Sequence, residues 1–78
     1  MDVFGQVTGL LTDMFRIPAQ TVQPDVPLYQ LRIDSLALEE VRLALEDELN
    51  VDLEDVPLTS RDTVGRLVAA VSEKAAVR

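Results

Sequence analysis

The stretch from Ser35 to Leu49, SLALEEVRLALEDEL, constrains the fold more than any other part of the chain. It consists almost entirely of strong helix formers and contains neither glycine nor proline. Its apolar residues recur at steps of three and four, which is the spacing of one helix face. We therefore predict an amphipathic helix over this stretch. Its apolar face is formed by Leu38, Val41, Leu45 and Leu49.

Two further amphipathic helices are predicted nearer the ends of the chain. Apolar residues recur with helical spacing over residues 2–16 and again over residues 63–74. Asp62 or Thr63 is placed to cap the start of the second of these helices. The apolar faces comprise Val3, Val7, Leu10 and Met14 in the first helix, and Val64, Leu67, Val68 and Val71 in the other.

Proline-containing segments separate the three helices. Residues 17–34 hold three prolines without helical or alternating periodicity, which predicts a long loop tethered by Leu28, Leu31 and Ile33. Between the last two helices, Pro57 leaves room for one short helix only. The predicted fold is all-α, a small bundle of three main helices plus a short fourth helix between the last two, with a long loop after helix one. We expect one domain over residues 1–78.

The composition excludes several classes of active site. A chain of 78 residues buries only about 60% of the surface that its unfolded form exposes, which leaves no room for a deep enclosed cleft. The chain has no cysteine and no histidine, so it lacks a thiol nucleophile, the commonest general base and the commonest metal ligands. The segment NVDLED resembles the front of a calcium loop, but Asp55 and Arg61 occupy the positions that need glycine and glutamate. We expect no metal and no catalysis.

The charge is strongly acidic and unevenly spread. The chain has 14 acidic and seven basic residues, and nine of the acidic ones lie within residues 34–55. Nucleic acids and anionic lipid surfaces are therefore poor partners, whereas a basic protein surface is a good one.

No apolar run approaches the roughly 20 residues of a membrane span, and no leader pattern precedes the first helix. We expect a cytoplasmic protein without membrane insertion that is a monomer when free.

Ser35 has two possible roles. A serine at the start of a helix commonly acts as the N-cap, but the partner that completes a capping box is missing because Leu38 stands three residues later. The other role is covalent modification. The free N–H groups and the dipole at a helix N-terminus favour a negative group such as a phosphodiester.

The segment LRIDSLALEEVRLALEDELNVDLED, followed by TVGRLVAAV, resembles an acyl carrier protein. The shared features are the Asp-Ser-Leu motif, the acidic helix after it and the closing Thr-Val-Gly segment. The resemblance implies that Ser35 receives a 4'-phosphopantetheine arm from coenzyme A through a phosphodiester, in a reaction catalysed by a magnesium-dependent phosphopantetheinyl transferase. The thiol of that arm then carries acyl groups as thioesters.

The resemblance also implies how partner enzymes are recognised. Asp34 and Leu36 flank the attachment site, and the docking positions of the family's second helix correspond here to Glu40, Leu43, Glu46 and Asp47. The implied partners are ketosynthase, acyltransferase, reductase or dehydratase type enzymes with basic docking patches. Leu43 fits this role independently, because it lies off the apolar stripe of its own helix.

Two departures from the family pattern bear on the pathway. Many members have glycine where this chain has Arg32, and fatty-acid carriers often have an apolar residue where this chain has Glu39. The stretch DSLALEE resembles a discrete carrier of polyketide or related specialised biosynthesis more than a fatty acid carrier. The alternative function is an unmodified acidic helical adaptor that binds a basic partner. In that case Ser35→Ala would remove only a helix cap.

Overall fold

The computed structural model describes residues 2–76 and contains three α-helices. They are α1 (Val3–Phe15), α2 (Ser35–Leu49) and α3 (Val64–Ala76), and the α1–α2 connection contains two 3₁₀ turns, Ala19–Thr21 and Leu28–Leu31. Over the described range no strand forms, and a single antiparallel bridge joins Pro27 to Thr63. None of these helices is long and apolar enough to cross a bilayer. The all-α bundle of three main helices is confirmed.

Local backbone chemistry sets the ends of the helices. α1 ends because Arg16 adopts a left-handed conformation (φ 60°) and Ile17 is disfavoured in a helix by the proline that follows it. α2 ends at Asn50, which is also left-handed (φ 54°) and is a residue type that tolerates this conformation. At the start of α3 the Arg66 amide donates to the Thr63 hydroxyl over 3.1 Å, so Thr63 provides the cap.

The core is one cluster of aliphatic side chains from all three helices and both connections. The predicted apolar faces supply most of it, and the predicted loop tethers Leu28 and Ile33 are buried, with Leu31 half-buried against the cluster. Sequence periodicity did not indicate the contributions of Ile17, Val22 and Leu53, because they lie outside the helices. The fully buried side chains are those of Val7, Leu11, Val22, Leu28, Ile33, Val41, Leu45, Leu53, Val64, Leu67 and Val71.

The long α1–α2 connection is joined to the start of α3 by backbone hydrogen bonds. The amides of Val64 and Gly65 donate to the carbonyls of Val26 and Pro24, over 2.9 and 2.8 Å. In the opposite direction, the Leu28 amide donates to the Asp62 carbonyl over 2.9 Å. These bonds satisfy N–H groups that every helix leaves free in its first turn. The connection is therefore an ordered part of the bundle.

The predicted short helix between the last two helices is wrong for the described residues. This segment instead contains a turn at Glu54 and Asp55, closed by one bond from the Val56 amide to the Leu53 carbonyl over 3.1 Å. Pro57 has no N–H group with which to extend the turn. The Arg42 guanidinium donates hydrogen bonds to the carbonyls of Leu53 and Val56, so these acceptors are satisfied without a helix.

Gly65→Ala should lower the free energy of unfolding by about 1–3 kcal/mol, because an added Cβ would lie 2.9 Å from the Pro24 carbonyl oxygen and force the connection away. Chemical denaturation measures the change. Gly9→Ala is the matched control, since nothing lies within 4 Å of its Cβ position, and it should stabilise the protein by roughly 0.5–1 kcal/mol. Stabilisation by both changes would contradict the role given to Gly65.

Candidate functional site

Ser35 stands at the exposed N-terminal end of α2, and its hydroxyl is not used to cap the helix. The N-cap is Asp34, whose carboxylate Oδ1 accepts a hydrogen bond from the Ala37 amide over 2.8 Å. Ser35 is the first helical residue, and its Oγ makes no hydrogen bond within the described part of the chain. The interpretation of Ser35 as the helix cap is therefore wrong, because the preceding aspartate performs that role.

Two backbone donors beside Ser35 are also free. The Leu38 amide donates to the Asp34 carbonyl over 2.8 Å and the Ala37 amide is capped, whereas the amides of Ser35 and Leu36 have no acceptor among residues 2–76. Such donors, together with the positive end of the helix dipole, attract phosphate groups. The immediate surroundings of Ser35 thus combine an available hydroxyl with unoccupied anion-binding donors.

A groove of about 410 Å³ runs from Ser35 between α2 and the α2–α3 connection. Leu38 and Arg42 line its α2 side, and Leu58 and Ser60 are among the residues of its other wall. The groove is mixed in character, with aliphatic side chains beside hydroxyl groups. A flexible group attached at Ser35 can lie along it.

Four of the predicted docking positions form one stripe on the surface of α2. Leu36, Glu40, Leu43 and Asp47 follow one another at steps of four, three and four residues, so they share a face. All four are exposed, and Leu36 and Leu43 are exposed by 70% and 58%. The buried face of α2 lies on its opposite side. Two exposed leucines between carboxylates make a surface suited to a basic, partly apolar partner.

Glu46, the fifth predicted docking position, lies beside this stripe and makes an internal contact. It is half-buried, and its Oε2 accepts a hydrogen bond from the Leu53 amide over 2.8 Å. Arg42 Nη2 donates to the carbonyl of the same residue, and Nη1 donates to the Val56 carbonyl over 2.8 Å. Both polar backbone groups of buried Leu53 are thus held by side chains of α2. Glu46 and Arg42 fix the wall of the groove beside Ser35.

Arg42 is more buried than its place on the acidic side of α2 would suggest. Its side chain is only 14% exposed, and its ion pair with Glu39 is long at 3.9 Å. The carbonyl contacts explain the difference, because the guanidinium carries five donors that reach several acceptors at once. Sequence contained one signal for this role: Arg42 is the single base among nine acids and adjoins the apolar stripe.

An ion pair between Lys74 and Asp55 joins α3 to the α2–α3 connection. Lys74 Nζ lies 2.9 Å from Asp55 Oδ1 and donates to Oδ2 over 3.2 Å. The hydrogen bond from Lys74, together with its charge, lowers the pKa of Asp55, and the hydrogen bond to Asp55 raises the pKa of Lys74. Both groups therefore stay ionised near neutral pH.

Comparison with known proteins decides the family. The family model described as the phosphopantetheine attachment site matches residues 5–71, which is most of the chain. The chain belongs to the acyl carrier protein family. No solved structure is a significant match.

Three curated acyl carrier proteins illustrate the similarity. The acyl carrier protein MbtL of Mycolicibacterium paratuberculosis is 34% identical, over 90% of this chain and 80% of its own length. An acyl carrier protein of Saccharopolyspora erythraea is 32% identical over 86% of this chain and 72% of its own. An acyl carrier protein from Picosynechococcus sp. is 28% identical over 94% of this chain and 91% of its own length.

Membership of the acyl carrier protein family establishes the cofactor, a covalently attached 4'-phosphopantetheine group. The chain thus has a carrier function through phosphopantetheine attachment, and proteins of this family are carriers rather than catalysts. The residues at the start of α2 fit the group. The free Ser35 hydroxyl can form a phosphate ester, and the amides of Ser35 and Leu36 can donate to the ester oxygens.

The backbone at Arg32 explains the glycine that many acyl carrier proteins have at this position. Arg32 follows the second 3₁₀ turn with φ 66° and ψ 26°, the left-handed conformation that glycine adopts without strain. Its amide donates to the Tyr29 carbonyl over 2.9 Å, and the Ile33 amide donates to the Leu28 carbonyl over 3.1 Å. These bonds hold the turn closed, so Arg32 keeps a conformation that is unfavourable for a residue with a Cβ.

Arg32→Gly should raise the free energy of unfolding by about 0.5–1 kcal/mol. Relief of left-handed strain is worth roughly 1–2 kcal/mol, and the greater freedom of glycine in the unfolded chain offsets part of it. Arg61→Gly is the control, because Arg61 is exposed and has no positive φ. It should be destabilising. Equal changes in the two denaturation midpoints would contradict the strain assigned to Arg32.

Proposed function

We propose that the chain carries acyl or polyketide intermediates as thioesters on a 4'-phosphopantetheine arm attached to Ser35. We further propose that it presents them to partner enzymes through the stripe formed by Leu36, Glu40, Leu43 and Asp47, with Glu46 beside it. The observation that carries this proposal is the free Ser35 hydroxyl at the start of α2, where Asp34 has taken over the capping role.

Attachment requires the Ser35 Oγ to act as a nucleophile toward coenzyme A. Ser35 Oγ forms a bond to the phosphorus next to the pantetheine and loses its proton to a base of the transferase. The phosphoanhydride bond of coenzyme A breaks, and adenosine bisphosphate leaves. This chain supplies the exposed hydroxyl and the free amides of Ser35 and Leu36, while the phosphopantetheinyl transferase supplies magnesium and the base.

The cysteine count supports a carrier that depends on an attached thiol. The 78 residues include no cysteine, so the chain has no thiol of its own for thioester formation. The attached group supplies a terminal thiol when it is bound. In this proposal the chain is a substrate of biosynthetic enzymes and performs no catalytic step itself.

The acidic stripe supports docking by enzymes with basic patches. Carboxylates of Glu40 and Asp47 attract basic side chains, while Leu36 and Leu43, which alternate with them along the stripe, supply exposed apolar area. The proposed partners are the transferase and enzymes of the ketosynthase, acyltransferase, reductase or dehydratase type. We propose one carrier domain over residues 1–78 that acts in the cytoplasm as a monomer when free. Asp34 helps partners to recognise the site while it caps α2.

Ser35→Ala should abolish loading. After incubation with coenzyme A, magnesium and a promiscuous phosphopantetheinyl transferase, intact mass spectrometry should detect one added phosphopantetheine on the parent chain and none on the variant. The fold should be retained, with a stability change within about 0.5 kcal/mol, because Ser35 Oγ makes no hydrogen bond to any of residues 2–76. Asp34→Ala should instead lower the free energy of unfolding by about 1 kcal/mol through loss of the cap.

Ser60→Ala is the matched control for loading, because Ser60 lines the same groove as Ser35. It should be modified as fully as the parent. If a folded parent chain gained no mass, the carrier proposal would fail and the unmodified adaptor would become the leading function. Modification of the Ser35→Ala variant would place the arm on another residue.

Removing two charges from the stripe should slow loading through weaker docking. We expect the double change Glu40→Gln and Asp47→Asn to lower kcat/KM of the transferase by about tenfold, chiefly through KM, because long-range attraction governs encounter. The loss should shrink in 0.5 M salt, where charges are screened within about 4 Å. Initial rates at several concentrations of the carrier measure both parameters.

The double variant Asp25→Asn and Glu73→Gln is the control for net charge. Both residues are exposed and lie outside α2, so this variant removes the same number of charges from other surfaces. It should change kcat/KM by less than about twofold. Similar losses in the two double variants would show that only overall charge matters and would remove the case for a docking stripe.

A further inference from the structure

A second surface groove lies where the end of α1 meets the second 3₁₀ turn. It has a volume of about 350 Å³. Phe15 and Leu31 contribute half-buried apolar surface to it, and the exposed residues Arg16 and Arg32 are both part of its lining. This Arg16/Arg32 groove lies apart from the acidic stripe on α2, and none of the roles assigned so far uses it.

Both arginines are held in an unfavourable backbone conformation. Arg16 and Arg32 have φ values of 60° and 66°, and Asn50 is the other non-glycine residue with positive φ over residues 2–76. Asparagine tolerates this conformation, whereas arginine does not favour it. Strained residues that persist together at one groove point to a role for their side chains in recognition.

The two guanidinium groups have no acidic partner within the described residues. Arg42 and Lys74 form the ion pairs found there, and no side-chain hydrogen bond involves the guanidinium of Arg16 or Arg32. The surrounding sequence is also different in charge from α2. Residues 14–33 contain Asp25 as their one acid, whereas residues 34–55 contain nine.

We propose that the Arg16/Arg32 groove binds an acidic segment of a partner enzyme, with an apolar side chain of that segment seated between Phe15 and Leu31. Two planar guanidinium groups at one groove match the geometry of carboxylates, and the apolar surface beside them gives the segment an anchor. Charge complementarity selects this occupant, since a basic segment would be repelled by both arginines.

This inference rests on the proposed docking of enzymes around Ser35 and specifies their surface further. Arg32 lies three residues before Ser35, whereas the acidic stripe begins one residue after it. A matching enzyme therefore has a basic patch on one side of its channel for the arm and an acidic segment on the other. Opposite charges on the two sides fix the orientation of the carrier, and an enzyme with basic patches alone is rejected at Arg32.

The test uses the full chain labelled with ¹⁵N and two probe peptides, acetyl-EELEE-amide and acetyl-KKLKK-amide. The acidic peptide should shift the backbone amide signals of residues 15–17 and 30–33, and the basic peptide should shift those of residues 36–47. The double change Arg16→Asn and Arg32→Asn should lower the affinity for the acidic peptide by about 3- to 10-fold, as expected for loss of two exposed charge contacts. Asparagine tolerates the left-handed backbone, so the fold is kept.

The double variant Arg61→Gln and Arg66→Gln removes the same charge from two exposed arginines outside the groove, and it should bind the acidic peptide within twofold of the parent. Equal weakening in the two double variants would overturn the proposal. So would shifts of residues 15–17 and 30–33 that depend on carrier concentration without peptide, since a second copy would then occupy the groove.

Intact mass analysis of the same samples separates this inference from the proposed function. Normal loading of the Arg16→Asn and Arg32→Asn variant at Ser35, together with lost peptide binding, supports both proposals. Peptide binding by a parent chain that cannot be loaded would remove the carrier function and leave the acidic-segment site standing. If the parent chain is loaded normally but its groove signals do not respond to the acidic peptide, the carrier function is supported and the acidic-segment site is overturned.

Discussion

The backbone hydrogen bonds between the α1–α2 connection and the start of α3 are the interaction on which the rest of the structure depends. The connection contributes the buried side chains of Val22, Leu28 and Ile33, yet it has no long helix to satisfy its polar backbone. The first amides of α3 donate hydrogen bonds to the carbonyls of Pro24 and Val26, so two sets of otherwise free groups satisfy each other. Gly65 permits this approach, because a Cβ there would lie against the Pro24 oxygen.

This anchoring determines what is presented at the N-terminus of α2. The amides of Leu28 and Tyr29 in the second 3₁₀ turn donate to the carbonyls of Asp62 and Ser60, and Arg32 follows this turn in a left-handed conformation. Asp34 then caps the helix, which leaves the hydroxyl of Ser35 and the amides of Ser35 and Leu36 without a hydrogen-bond partner among residues 2–76. Asp34 thus stabilises the start of the helix, while the adjacent Ser35 keeps a free hydroxyl. A serine that also served as the cap would lose its hydrogen bond on modification.

Sequence periodicity predicted the three helices closely, because each has an uninterrupted apolar face and strong helix formers or a clear cap. Ser35 as the proposed attachment site came from a different signal, the resemblance of a motif in register with an acidic helix. Sequence reasoning failed between α2 and α3, where one side chain, Arg42, supplies the hydrogen bonds that a helix would otherwise make. It also left open whether Ser35 caps α2, and the structure gives that role to Asp34. Both points concern which of several polar groups satisfies a given backbone atom, and that choice depends on local and tertiary distances.

The arginine at position 32 links the stability of the fold to the choice of partner. Glycine adopts this left-handed backbone with less strain, so Arg32 lowers the free energy of unfolding. The same is true of Arg16 at the end of α1. Outside residues 34–55 the chain has five acids and six bases, so the strong negative charge belongs to one part of the molecule. A carrier that visits several enzymes must be bound in one orientation each time, with its arm toward the reaction centre. Uniform negative charge attracts basic enzymes without fixing that orientation, whereas the two oppositely charged surfaces that we propose for docking would fix it.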